Sequence, residues 1–91
     1  MPYVHNINGT KDRKPYGYSS WLEFWKKKSG KTKSLCAAKD CTNAVAVGAH
    51  VQKDGSNDRH WYITPLCYSC NAKSESFFVS EDNLVRVTED D

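Results

Sequence analysis

The sequence predicts a small α+β domain, on three observations. Two cysteine pairs, Cys36-x4-Cys41 and Cys67-x2-Cys70, stand twenty-five residues apart. The residues between them alternate at strand period on either side of a turn, and a short helical pattern precedes the first pair. With 91 residues there is room for one domain. A hydrophobic share of 38% and an aromatic share of 12% suit a globular chain rather than a disordered one. A core this small tends to be marginal, so an additional cross-link is expected.

Residues 1–18 are polar and interrupted by Gly9, Pro15 and Gly17, which reads as an irregular N-terminal arm ahead of a single domain at 19–88. The domain opens on a helix. Ser20 is the candidate N-cap and Glu23 completes a capping box. Trp21, Leu22 and Trp25 share one face, flanked by Phe24. Lys26, Lys27 and Lys28 complement the dipole in the last turn, and Gly30 is the candidate stop. The aromatic face is expected to pack on the cysteine-bearing module.

After Cys41, residues 44–51 place Val45, Val47 and Val51 in alternation with Ala46, Gly48 and His50. Residues 53–58 (KDGSND) are turn formers, and RHWYIT at 59–64 is a return strand that Pro65 should end. A second short helix is expected over 71–76, starting at the Cys67–Cys70 pair. FFVS and NLVRV offer one or two terminal strands, and the last three residues should fray.

Four cysteines could form two disulfides or hold a metal. The segment MPYVHNINGT has neither the basic nor the apolar region of a secretory signal, and no apolar run is long enough for a membrane span. The expectation is therefore a cytoplasmic protein with reduced thiols, in which Cys36, Cys41, Cys67 and Cys70 bind one structural Zn²⁺. Four thiolates suit iron as well, and the same cysteines could instead be disulfide-bonded or free. A helix starting at the second pair would aim its amides at the sulfurs.

The order of cysteine pair, hairpin, cysteine pair and helix resembles the treble-clef zinc fingers. Within that group, GAHV…WYITPLCYSCNAK (residues 48–73) resembles the His-Asn-His (HNH) endonucleases, over about residues 36–76. The resemblance implies a ββα catalytic motif beside a structural zinc. It aligns Ala49 with a catalytic-metal ligand, His50 with the general base, Tyr62 with the Asn that orients the base, and Asn71 with the last ligand. Two of these four positions keep a functional residue type. Ala49 offers no lone pair to a cation, so the resemblance implies a scaffold with a degenerate active site. His60 and Asp58 are the conceivable substitute ligands. Taken alone, His50 is commonly a structural histidine, or a donor to a ligand sulfur. His60 reads as a cross-strand surface residue, and His5 as part of the arm.

Formal net charge is +2 but uneven. Residues 1–53 carry ten Lys and Arg against three Asp and Glu, and residues 54–91 carry three against eight. A basic face for a polyanion and a solvated surface with an acidic tail both account for this. Three functions follow. The first is a non-catalytic module docking on nucleic acid or protein, with Lys26, Lys27, Lys28, Lys31 and Lys33 interleaved with Trp21 and Trp25. The second is an HNH-like metal-dependent endonuclease using His50. The third is a structural subunit of a larger assembly, favoured if Phe77 and Phe78 are exposed. The sequence does not fix an oligomeric state.

Overall fold

A five-stranded antiparallel sheet organises the chain in the computed structural model, which describes residues 2–7, 15, 17–55 and 57–87. The elements are β1 (Tyr3–Asn6), α1 (Trp21–Ser29), β2 (Val47–Lys53), β3 (Tyr62–Leu66), the one-turn helix α2 (Tyr68–Asn71), β4 (Phe77–Phe78), a 3-10 turn (Glu81–Asn83) and β5 (Val85–Arg86). The strand order is β4-β1-β2-β3-β5. Among the described residues no helix is long and apolar enough to cross a membrane.

α1 forms where its capping residues require. Ser20 Oγ accepts from the Glu23 amide, and Gly30 takes a left-handed φ of 70° while its amide bonds to the Lys26 carbonyl. Trp21, Phe24 and Trp25 are buried, with Leu22 half-buried beside them. Trp25 Nε1 donates to the Asn83 carbonyl at 2.9 Å, and Lys31 Nζ to that of Asp82 at 3.0 Å. These two bonds fasten the helix to the 3-10 turn.

β2 and β3 are the predicted hairpin, displaced two to three residues toward the C-terminus. Residues 44 and 45 are taken by the first cysteine loop instead: Leu35 bridges Ala44, and the Val45 amide donates to the Ser34 carbonyl, while the Ala46 amide reaches the Leu66 carbonyl of β3. β3 runs through Pro65, which pairs with Gly48, rather than stopping there. Proline has no amide to donate, but β5 pairs only with Tyr62 and Ile63, so β3 is an edge at that point.

Alternation along the hairpin divides the core in two. Ala49, Val51, Tyr62 and Leu66 face one side, where they pack with Val4, Phe77, Val79 and the cysteines. Ile63 faces the other side, with Trp21, Phe24 and Trp25. The aromatic face of α1 therefore packs on the hairpin of the cysteine-bearing module, on the sheet surface opposite the cysteines themselves. The close approach is at Gly48, where a Cβ would lie 2.5 Å from the Leu22 backbone nitrogen and the Trp21 carbonyl carbon.

The N-terminal segment differs from expectation. Residues 3–6 are not irregular but form β1, which lies between β2 and β4 with Val4 opposite Lys53 and Tyr3 opposite Phe78. Residues 1, 8–14 and 16 of the expected arm, residue 56 of the expected turn and residues 88–91 lie outside the described residues. His5 is not part of a free arm either, since its Nδ1 bonds to Asp54, which also accepts from the Ser76 hydroxyl. The expected helix over 71–76 ends at Asn71. There Asn6 Nδ2 claims the carbonyls of Cys70 at 2.9 Å and Lys73 at 3.0 Å, and the chain turns to enter β4.

Candidate metal centre

Two loops carry the four cysteines to one point. The first is closed by the Leu35–Ala44 bridge, by the Cys36 amide donating to the Asn43 carbonyl at 2.8 Å, and by the Cys41 amide donating to the Ala38 carbonyl at 3.1 Å. The longer spacing of this pair is accommodated by Asp40 at a φ of 64°, a left-handed position that Asp tolerates better than most residues. The loop is held in place by Ala37 N donating to the Pro65 carbonyl at 2.8 Å and Lys39 N to the Phe78 carbonyl at 2.9 Å. The second pair sits at the start of α2, with Cys67 as its N-cap residue.

The four Sγ atoms lie within 4.8 Å of one another. Cys41 Sγ is 3.8 Å from both Cys67 Sγ and Cys70 Sγ. A tetrahedral site with metal–sulfur bonds of about 2.3 Å has sulfur–sulfur edges of about 3.8 Å, whereas a disulfide needs about 2.05 Å. All four cysteines are free thiols. Cys36, Cys67 and Cys70 are buried and Cys41 is half-buried. The arrangement is close enough to hold one metal ion. Among the described residues no other cluster gathers three or more His, Cys, Asp or Glu ligand atoms.

Electrostatics separate the sulfurs. Burial pushes the Cys67 thiol up, but the Cys70 amide at 3.4 Å, Asn43 Nδ2 at 3.6 Å and bonds from Cys70 and Cys36 outweigh it, leaving Cys67 at about 6. Burial raises Cys36 and, more strongly, Cys70. A bound cation would reverse the direction at both, because it stabilises the thiolate directly. Asn43, a donor to the Cys67 sulfur, is a site residue that the sequence reading missed. Its position two residues after Cys41 was the available signal. Asn6, which clamps α2 from 64 residues away, left no local signal.

The other expected site residues are scattered. His50 is buried on the α1 side, with its ring centroid 4.6 Å from that of Trp21 and 5.9 Å from that of Trp61, both edge-on. It is thus on the wrong face of the sheet to donate to a ligand sulfur. Asn71 is exposed at the end of α2, on the cysteine side, so the sheet separates it from His50. The Tyr62 hydroxyl donates to Asp58 rather than orienting His50. Asp58 also accepts from the His60 amide at 3.0 Å and faces His60 Nδ1 at 2.9 Å, while Arg86 Nη2 reaches His60 Nε2 at 2.7 Å. This exposed network at the hairpin end holds its members to one another.

Of the basic residues, Lys27, Lys28 and Lys31 are exposed, and Lys26 and Lys33 are half-buried. Trp21 and Trp25 are 9% and 1% exposed, so neither can stack on a base beside those lysines. Phe77 is buried, while Phe78, Tyr3, Tyr68 and Leu35 are the exposed large hydrophobic residues among those described. Compared with protein-family models, with curated proteins and with solved structures, the chain gives no significant match in any of the three.

Proposed function

We propose that the protein is a non-catalytic docking module of treble-clef type, stapled by one structural Zn²⁺, that engages nucleic acid or a protein partner. The observation that carries this reading is the saturation of the centre. Four sulfurs of the chain lie within 4.8 Å of one another, close enough to share one ion, and three of the four cysteines are buried. A metal held by all four has no open position for water or substrate, which is the mark of a structural rather than a catalytic site. The succession of first cysteine loop, hairpin and helix capped by Cys67 supports the treble-clef reading. Zinc is preferred to iron because a closed thiolate tetrahedron with no redox partner group is its usual structural site. Reduced thiols suit the cytoplasm. Lys27, Lys28 and Lys31, exposed at and just beyond the end of α1, supply charge for phosphates.

The test is metal analysis of purified protein together with a plasmid-nicking assay in Mg²⁺, Mn²⁺ or Ni²⁺. One zinc per chain and no cleavage are expected. Cleavage that disappears in a His50→Ala variant would overturn the non-catalytic reading, and a chain that keeps its native spectrum without metal would overturn the staple.

A further inference from the structure

We propose that the cross-strand pair Tyr3–Phe78, with Lys39 above it, is a stacking platform for unpaired bases of a single-stranded nucleic acid. The inference rests on the docking reading and names both its partner and its surface.

The platform follows from strand register. Tyr3 of β1 lies directly opposite Phe78 of β4, so both rings emerge on the same face of the sheet. Alternation makes this the α1 face, since Val4 and Phe77 point to the cysteine side. α1 packs on β2, β3 and β5 and, among the described residues, leaves the β4–β1 end of this face without a helix. The two rings contact each other with centroids 4.5 Å apart and planes tilted by 39°. They stay 44% and 43% exposed in a chain that buries Phe24, Trp25 and Phe77 almost completely. His5 follows two residues along β1, its ring held by Asp54. The nearby carboxylate of Asp54 is thereby engaged by His5 and by the Ser76 hydroxyl.

Charge complementarity selects the occupant. Lys39 Nζ lies 5.9 Å from the centroid of the Phe78 ring and pairs with no carboxylate among the described residues. Aromatic faces on neighbouring strands beside a free cation offer stacking to bases and an ion pair to phosphate. Bases in a duplex are already stacked on one another, so only an unpaired strand can use both features. An apolar protein partner would leave the Lys39 charge without a counter-ion.

The test uses metal-loaded full-length protein and the fluorescence anisotropy of labelled oligothymidine and oligouridine of about twelve nucleotides, with a duplex of equal length, at about 50 and 200 mM salt. Single strands are expected to bind more tightly than the duplex. Tyr3→Leu and Phe78→Leu, which keep apolar bulk but remove the ring face, are expected to weaken single-strand binding at least about fivefold each. Their zinc content and circular dichroism should be unchanged. Lys39→Gln, at an exposed position and leaving the backbone bond to Phe78 in place, is expected to flatten the salt dependence by the share of roughly one phosphate contact. Single-strand binding that survives all three substitutions overturns the platform and leaves docking through the α1 lysines intact. A duplex preference also overturns it. Absence of binding to any oligonucleotide at low salt overturns both the platform and the nucleic-acid half of the docking reading. A dimer in sedimentation that Phe78→Leu dissolves, without any oligonucleotide effect, assigns the surface to a second copy and overturns the inference.

Discussion

At the scale of single residues, the cysteines are unequal despite sharing one centre. Cys67 is held near 6 by an amide and by Asn43, whereas burial favours the neutral thiol at Cys36 and Cys70. For the metal-free fold, the Cys67 contribution to stability is present above the ordinary thiol value and lost as pH falls through about 6. The Cys36 and Cys70 contributions run the opposite way, present below the ordinary value and lost as pH rises through their folded values. Metal binding overrides that opposition by demanding four thiolates, so protons compete with the ion at every sulfur. A bound ion is expected to stay in place at pH 7 and to leave in acid as protons recapture the sulfurs; ultrafiltration followed by metal analysis from neutral into acid pH checks it. An Asn43→Ala variant removes one donor to the Cys67 sulfur. It should weaken zinc affinity by about tenfold, the low end for a partner of a metal ligand, as read by competition with a chromophoric chelator. The convergence of the four cysteines could be read directly from spacing, because chemistry restricts what two thiol pairs can do. The separation of His50 from them could not. Alternation at 47–51 was visible in the sequence, but nothing local says which face meets the cysteines.

At the scale of elements, α1 was the most legible, since capping and aromatic spacing are both local properties. Its seat on the sheet was not, because that depends on the absence of a side chain at Gly48, twenty-six residues beyond Leu22. A Gly48→Ala substitution drives a methyl group into helix backbone at 2.5 Å. It is expected to cost about 1–3 kcal/mol in denaturant titrations followed by tryptophan fluorescence, with Trp21 reporting the displacement. Ser20→Ala, which removes the side-chain acceptor for the Glu23 amide, should cost about 1 kcal/mol in the same assay while leaving zinc content unchanged. β1 escaped the sequence reading for a different reason. Tyr3 and Val4 favour a strand but Asn6 does not, and four residues are too few for a periodic signal, so the segment is fixed as a strand by its partners at 51–53 and 77–78. The extent of α2 was overestimated by the same logic, since Asn6 takes the carbonyls through which the helix would continue.

At the scale of the whole molecule, two thin cores lie on opposite faces of one sheet, and only one of them contains the cysteines. Metal binding at comparable sites contributes on the order of 10 kcal/mol, a magnitude similar to the entire stability of a small domain. Chelation should therefore abolish the cooperative unfolding transition rather than merely lower it, as followed by circular dichroism with and without a strong chelator. Position within the sheet has a further consequence. Tyr3–Asn6 leaves the ribosome before either neighbour, yet it must be inserted between strands that end at Lys53 and Phe78. Its pairing is long-range at both edges, and such pairing is slow to form. A nascent chain arrested before Phe77 would thus hold β1, β2 and β3 but leave the outer edge of β1 unpaired and open to protease, with resistance arriving only when the last strands have been synthesised.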